Sequence, residues 1–278
     1  MQERILYFNE GLHRYTDEFN NVYKSTTTLV GEYTTKFDTD ALASACEKIG
    51  RNPNHPKYEV YKGMKAWQIK DKWSNTAKVA CEKGTLKHAI AETSIKEANN
   101  YKVFKGNDGF DYVQLYTINK LLNTPNIGKL NLDIFAQTEM CNEFPLLYST
   151  VHHLANEGWY VYSEVGVYHP ELFVSGLIDL PLFKGKKFII GDWKTNKDPI
   201  TFECGYYEKD NKGNTTDKWV SKDETFKYPI HHLNNSIGNK IAMQLSTYAW
   251  LLEQWGFECQ GLFVGHITNE QYGLTHNV

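Results

Sequence analysis

Residues 175–194, SGLIDLPLFKGKKFIIGDWK, contain two apolar runs that flank a short turn of Lys and Gly. Within that turn, Gly185-Lys186 fits a two-residue type II′ turn, which favours Gly at its first central position. Such a turn pairs Lys184 with Lys187 across an antiparallel hairpin. The stretch therefore predicts two neighbouring strands whose register is set by the turn.

The same register sets Asp179 directly opposite Asp192. Opposed residues share one face, with Cβ atoms about 4.5–5.5 Å apart, and Lys194 shares it because side chains alternate along a strand. The apolar pairs Leu177-Ile178 and Ile189-Ile190 indicate a half-buried hairpin. A surface hairpin with a lone ion pair is the alternative interpretation.

Two opposed carboxylates repel each other, and burial makes that repulsion more costly. A hard divalent cation can compensate it, since Mg²⁺ takes carboxylate oxygens together with water. Lys194 can then orient an attacking water, deprotonate it as the neutral amine, or stabilise charge that develops on a phosphate. The hairpin thus predicts metal-assisted hydrolysis of phosphodiesters.

A helical pattern over 77–99 carries Gly84, His88 and Glu92 at a spacing of four, so these residues line one face. His88 on that face can supply a nitrogen ligand to the metal. Taken alone, the same His also fits an exposed or core-edge position.

A second amphipathic pattern, over 236–255, carries Gln244 and Tyr248 on one face. An amide can donate a hydrogen bond to a phosphate, and a Tyr ring can stack on a base or bond a phosphate. Alone, this pair is a weak signal of nucleic-acid binding.

The order of these motifs resembles the PD-(D/E)XK nuclease superfamily, specifically its RecB-like exonuclease branch. That branch combines a helical G-x-x-x-H, a strand Asp, a D/E-x-K and a downstream Q-x-x-x-Y. The matching residues are Gly84-Thr85-x-x-His88, Glu164, Gly176-x-Ile178-Asp179, Asp192-x-Lys194 and Gln244-x-x-x-Tyr248. The stretch from His13-x-Tyr15 to Ser25-Thr26-Thr27 is also similar to phage exonucleases and to the mitochondrial genome maintenance exonuclease. The resemblance spans residues 10–267.

The resemblance implies a role for each motif. His88, Asp179 and Asp192 would bind Mg²⁺ or Mn²⁺ with the main-chain carbonyl of Trp193, and Glu164 would assist a second metal. The residues implied in catalysis are Lys194, Asp179 and Asp192. The residues implied in DNA binding are Gln244, Tyr248, Thr85, Gly84 and Ser25. The family's Pro-Asp is Ile178-Asp179 here, a departure that this branch tolerates.

The composition limits the classes of protein. The net charge of −3 argues against a protein that coats nucleic acid by bulk charge. No stretch approaches the ~20 apolar residues of a membrane helix, and the N-terminus has no secretory signal pattern, so we expect a cytoplasmic protein that does not contact membranes. The five cysteines are scattered, so we expect no iron–sulfur cluster.

We expect one α/β nuclease domain over 1–278, with a restriction-endonuclease-like core: a mixed central sheet flanked by helices. Its helical part would cover about 1–157 and arch over the site, and the core would comprise about 77–99 and 158–278. The predicted strands are 5–9, 21–24, 159–168, 172–183, 187–194 and 259–267. The predicted helices are 25–33, 38–50, 60–99 with a break near Ser74-Asn75, 113–123, 136–156 and 236–255; 100–112 is a loop, and 205–224 is a surface hairpin or loop.

The predicted function is metal-dependent DNA hydrolysis from an end. Single-stranded DNA is the expected substrate, because aromatic residues form 14% of the chain and can stack on unpaired bases. Two alternatives stay open: a catalytically weak nuclease fold that binds DNA ends or assembles complexes, and a structure-specific endonuclease. The segment 205–224 has no assigned role.

Overall fold

The computed structural model describes residues 2–35, 37–99, 112–118, 120, 123, 127–196, 199–210, 214–267 and 274–277. By internal contacts the chain divides into two compact units, each assembled from separate stretches of sequence. The first comprises Met1–Glu32, Leu86–Pro199 and Ile241–Val278, and the second comprises Tyr33–Thr85 and Ile200–Lys240. The expected single domain over 1–278 stays a prediction, whereas the mixed α/β class is confirmed.

The first unit contains a curled sheet of six strands, in the order β4-β1-β2-β3-β7-β6. All neighbours are antiparallel except β3 and β7, which are parallel. The strands are β1 (Leu6–Asn9), β2 (Arg14–Asp17), β3 (Val22–Ser25), β4 (Tyr112–Gln114), β6 (Val165–His169) and β7 (Val174–Ile178).

The sheet curls because the chain after β4 reaches its opposite edge. Thr117 forms a bridge with Gly166 on β6, and the Gly166 N–H donates to the Tyr116 carbonyl at 2.7 Å. A Cβ atom on Gly166 would lie 3.1 Å from Leu115 and 3.2 Å from Leu6. Gly at this position therefore allows the two edges to approach closely.

A second sheet in the same unit has five strands, in the order β13-β12-β9-β8-β5. Its neighbours are antiparallel except for the parallel pair β12 and β9. The strands are β5 (Tyr160–Val161), β8 (Leu180–Lys184), β9 (Lys187–Lys194), β12 (Glu258–His266) and β13 (Leu274–Asn277). Mixed sheets with flanking helices are therefore confirmed, but the strands expected in one central sheet are divided between two sheets.

The predicted strand 172–183 is divided at Asp179. Its first part, β7, belongs to the curled sheet, and its second part, β8, belongs to the five-stranded sheet. Apolar residues on both sides of Asp179 are buried, so hydrophobicity alone does not reveal the change of sheet. The division sets Asp179 at the point where the chain leaves one sheet and enters the other.

The predicted register of the β8–β9 hairpin is confirmed. Lys184 pairs with Lys187, and the ladder continues to the pair Leu180 and Gly191. Gly185 has a φ of +63°, and Lys186 does not have a positive φ. A positive φ at only the first central residue is the signature of a type II′ turn.

Helices of the first unit pack on the five-stranded sheet. Ala91, Ile95 and Ala98 recur at helical spacing, are fully or almost fully buried, and share one core with Leu180 and Trp193. These helices are the second part of α4 (Ala66–Ala98), α5 (Leu132–Phe135), α6 (Glu139–Glu143) and α7 (Pro145–Asn156). A further helix, α8 (Ile237–Gln254), contacts the curled sheet, where the Trp250 ring stacks on His169 of β6.

Three predicted helices differ from the structure. The segment 60–99 contains one unbroken helix, Ala66–Ala98, because exposed Ser74 and Asn75 carry only a small propensity penalty. The helix expected over 136–156 is divided into two, Glu139–Glu143 and Pro145–Asn156, because the Pro145 ring fits a first turn but not a helix interior. The expected helix 113–123 is wrong over β4, and residues 119, 121 and 122 of its remainder lie outside the described residues, as does most of the expected loop 100–112.

The N-terminal part is less helical than predicted. The expected strands 5–9 and 21–24 are confirmed as β1 and β3, and β2 was not predicted. The helix expected over 25–33 is α1 (Thr26–Glu32). The arch of N-terminal helices over the site stays a prediction.

The second unit contains α2 (Thr39–Ile49), α3 (Tyr58–Tyr61), the first part of α4, and the antiparallel hairpin β10 (Gly205–Lys209) and β11 (Thr215–Ser221). The helix predicted over 38–50 is confirmed as α2: the Asp38 side chain caps it by accepting from the Ala41 N–H at 2.9 Å, and Gly50 is the C-cap. The hairpin confirms the prediction for 205–224. Among the described residues, no helix is both long and apolar enough to cross a membrane.

Candidate active site

Asp179 is the structural centre of the candidate site. Its Oδ2 atom accepts a hydrogen bond from the Trp193 N–H of β9 at 2.9 Å. Its main-chain carbonyl accepts from the Glu164 N–H at 3.3 Å. These bonds connect the junction of the two sheets to β9 and to the residue that precedes β6.

Asp192 and Lys194 alternate with Trp193 near the end of β9. The Asp192 side chain is 3% exposed and forms an ion pair with the ammonium of Lys194. Burial opposes the charge on Lys194, but the nearby carboxylates of Asp192 and Asp179 outweigh it and raise the pKa of the ammonium. Lys194 is therefore protonated at neutral pH.

His88 joins this group from α4. Its Nδ1 atom lies 3.6 Å from Asp179 Oδ2. Burial, followed by the charge of Lys194, lowers the pKa of His88 below its ordinary value. The ring is therefore neutral at pH 7, which is the form that ligates metals.

Two half-buried carboxyl groups, those of Asp179 and Glu164, show that negative charge in the site is only partly compensated. Burial and the charge of Asp192 raise the pKa of Asp179 to about 7. Burial and the charge of Asp179 raise the pKa of Glu164 well above its ordinary value. Glu164 also has a φ of +54°, a left-handed conformation that costs a non-Gly residue roughly 1–2 kcal/mol and that clusters at functional sites.

Glu92 and Lys96 extend the site along α4. They form an ion pair, and Glu92 contributes to the raised pKa values of both Asp179 and Glu164. The sequence prediction noted Glu92 on the His88 face without assigning it a role, and it missed Lys96. The spacing of four residues from His88 to Glu92 to Lys96 is the signal that could have revealed both.

Tyr248 forms a buried wall of the site. Its side chain is 3% exposed, and its hydroxyl accepts a hydrogen bond from Gln244 Nε2 at 3.1 Å. Burial and the charge of Asp192 raise the pKa of the phenol. Tyr15 on β2, which the sequence prediction did not include in the site, is also buried, and Glu164 and Asp179 help to raise its pKa.

Three expected DNA-binding residues are not part of this group. The Ser25 hydroxyl accepts a hydrogen bond from the Thr28 N–H at 3.1 Å and so caps α1. Gly84 and Thr85 lie on α4, about one turn before His88. Gly84 is buried and Thr85 is exposed. Their contact with DNA stays a prediction.

The donors present suit a hard divalent cation, although they do not form a ready metal cluster. Within the described part of the chain, no three His, Cys, Asp or Glu side chains are grouped to hold a metal. Asp192 is instead paired with Lys194. Four carboxylates, those of Glu92, Glu164, Asp179 and Asp192, face two ammonium groups, an excess of two negative charges when all are ionised. Carboxylate and carbonyl oxygens with this excess charge fit Mg²⁺ or Mn²⁺.

Comparison of the chain with protein-family models, with curated proteins and with solved structures finds no match.

Proposed function

We propose that the protein is a metal-dependent nuclease that hydrolyses DNA phosphodiesters from an end. The observation that carries the proposal is the convergence of Asp179, Asp192 and Lys194 with His88 at the junction of the two sheets. A protein that only binds DNA gains nothing from buried carboxylates turned towards phosphates, since like charges repel. A hydrolase can use the same carboxylates to hold a cation.

The proposed ligands of a Mg²⁺ or Mn²⁺ ion are the carboxylates of Asp179 and Asp192, the main-chain carbonyl of Trp193 and the neutral ring of His88. The bound cation would neutralise phosphate charge and make a bound water a better nucleophile. The Trp193 N–H bond to Asp179 holds that carboxylate beside β9, and so brings the donors from the two sheets together.

Lys194 acts as a charged hydrogen-bond donor in this proposal. Because its pKa is raised, the ammonium keeps its proton at neutral pH. Its Nζ atom can therefore orient an attacking water and stabilise negative charge on a phosphoryl oxygen, whereas a neutral amine would be needed to remove a proton.

Tyr248 and Gln244 shape the site in this proposal. The buried ring of Tyr248 offers no open face for base stacking, so its contribution is to the shape of the wall. The half-buried Gln244 amide, which donates to the Tyr248 hydroxyl, can turn a further N–H towards a phosphate oxygen.

The preference for a DNA end and for single strands is the finer part of the proposal. It is supported by the resemblance to RecB-like exonucleases and by the aromatic content of the chain. The five cysteines are all free thiols, which fits the reducing cytoplasm as the proposed location.

The test is a cleavage assay with three DNA substrates of the same sequence: an end-labelled single strand, a blunt duplex and a closed single-stranded circle. With Mg²⁺ or Mn²⁺, we expect release of short products from the linear single strand and an intact circle, and EDTA should stop the reaction. Cleavage of the circle would favour the structure-specific endonuclease. Tight binding of linear DNA without cleavage in either metal would favour the DNA-end-binding module.

A further inference from the structure

The charge of the chain is divided unevenly between its two units. The second unit, Tyr33–Thr85 and Ile200–Lys240, contains 16 Lys and Arg against 12 Asp and Glu, a net charge of +4. The first unit, which includes the candidate active site, contains 14 Lys and Arg against 21 Asp and Glu, a net charge of −7. A polyanion is therefore attracted to the second unit, and the overall charge of −3 conceals this.

Two ammonium groups of the second unit lie against one exposed aromatic ring. The Nζ atoms of Lys57 and Lys222 are 5.9 Å and 5.5 Å from the centroid of the Tyr206 ring, within the range of cation–π contacts. Tyr206 is 43% exposed, and the Lys222 side chain is 49% exposed. These three residues, which we call the Tyr206 surface, present two positive charges and part of a ring to solvent.

The β10–β11 hairpin and the start of α3 position the Tyr206 surface. Lys222 directly follows β11, and Lys57 is the N-cap residue of α3. On β10, Tyr206 and Tyr207 point to opposite faces of the hairpin because side chains alternate along a strand. The Tyr207 ring packs against Trp219 of β11, with centroids 5.0 Å apart. This cross-strand pair stabilises the hairpin, and it leaves the Tyr206 ring to the other face.

Further exposed rings indicate which polyanion this unit suits. Phe37, Trp67 and Tyr228 of the second unit are also exposed. Unpaired bases stack on exposed aromatic rings, and positive side chains beside them track the phosphate backbone. Bases of a duplex already stack on one another, so they make less use of such rings. The combination of charge and rings therefore favours a single strand.

We propose that the Tyr206 surface binds the phosphate backbone of single-stranded DNA, which gives a role to the hairpin in segment 205–224. The inference rests on the proposed function, which makes DNA the polyanion. Lys57 and Lys222 each contact a phosphate, and the open part of the Tyr206 ring contacts a neighbouring base. Phosphate replaces Glu224 as the partner of Lys222, since their exposed ion pair, 3.4 Å long, contributes little.

The test is the salt dependence of binding, measured by fluorescence anisotropy of a labelled single-stranded oligonucleotide in EDTA, which stops metal-dependent cleavage. The logarithm of the association constant falls with the logarithm of the salt concentration, with a slope of about −0.7 for each phosphate that is neutralised. We expect Lys57→Gln/Lys222→Gln to make the slope less steep by about 1.4. Lys57→Arg/Lys222→Arg, which keeps both charges, should keep the wild-type slope.

The matched control is Lys62→Gln/Lys78→Gln. It removes two exposed lysines of the same unit, each from an ion pair within the helical segments, and so changes the charge of the unit equally. We expect the wild-type slope. An equal change of slope in the control would show an effect of bulk charge and overturn the inference.

Circular dichroism establishes that each variant is folded. If Lys57→Gln/Lys222→Gln does not fold, Lys222→Gln alone should make the slope less steep by about 0.7. A wild-type slope in the folded variant, or tighter binding of the wild type to a duplex of the same sequence, would overturn the inference. The cleavage assay separates the two proposals: cleavage without the expected change of slope would remove only the Tyr206 surface, whereas the expected change without cleavage would support that surface and remove the nuclease.

Discussion

The ring of Tyr248 packs directly on the backbone of Gly176, and a Cβ atom at Gly176 would lie 3.0 Å from both the ring Cζ atom and the hydroxyl oxygen. Gly176 lies on β7, three residues before Asp179, and Tyr248 lies on α8. The missing side chain of Gly176 thus allows α8 to bring Tyr248 into the wall of the site. This contact gives a physical reason for the Gly in the motif Gly176-x-Ile178-Asp179.

Gly176→Ala is predicted to destabilise the protein. Inserting a methyl group against a buried ring costs roughly 1–3 kcal/mol of the free energy of unfolding. Urea unfolding at neutral pH measures the change. Gly261→Ala is the control, because nothing lies within 4 Å of a Cβ atom at Gly261 in β12. Equal stability of the two variants would contradict the close packing of Tyr248 on Gly176.

Ser25→Ala is predicted to lower stability by about 0.5–2 kcal/mol, because α1 loses the side chain that accepts from the Thr28 N–H. Thermal unfolding measures the loss. Ser25→Asn should restore most of it, since Asn is as good a cap as Ser. If Ser25→Ala left stability unchanged but weakened DNA binding, the residue would be a DNA contact, as the resemblance implies, and its capping role would be unimportant.

Asp17 is predicted to make the free energy of unfolding depend on pH in the acidic range. Burial alone would raise the pKa of its carboxyl, but hydrogen bonds from Asn21, Phe19 and Tyr23 outweigh burial and lower it. A lowered pKa means that the folded state favours the carboxylate. The contribution of the Asp17 carboxylate to the free energy of unfolding is therefore fully present above the pKa of the unfolded state, about 3.9. It is lost as the pH falls through the lower pKa of the folded state.

Asp17→Asn should accordingly cost about 1.5–3 kcal/mol at pH 7, the range for hydrogen bonds to a charged group. The difference between wild type and variant should shrink as the pH falls below 4, which urea unfolding at several pH values measures. Asp217→Asn, an exposed change on β11, is the control. A difference that stayed constant from pH 7 to pH 2 would exclude the linkage.

Local chemistry explains which parts of the fold could be predicted from sequence. The β8–β9 register followed from Gly185-Lys186, because a two-residue turn leaves only one pairing. The amphipathic pattern over 236–255 likewise predicted the helix α8, whose apolar residues Leu245, Ala249 and Leu252 are buried at helical spacing. These features depend on residues that are close together in the chain.

Long-range pairing explains most of what was missed. The curled sheet needs β1, β3 and β7 to meet, and no local pattern indicates that β3 pairs with a strand from the other half of the chain. In the site, the motif residues His88, Asp179, Asp192 and Lys194 do lie together.

The central claim is that Asp192 and Lys194 perform phosphodiester hydrolysis, and cleavage of end-labelled linear single-stranded DNA with Mg²⁺ tests it most directly. The assay compares the wild type with Asp192→Asn, Lys194→Met and the control Lys218→Met, which changes an exposed lysine of β11. The wild type and the control should shorten the strand at equal rates. Each site variant, folded by circular dichroism, should be at least about 10²-fold slower. Cleavage at the wild-type rate by either site variant would contradict the claim.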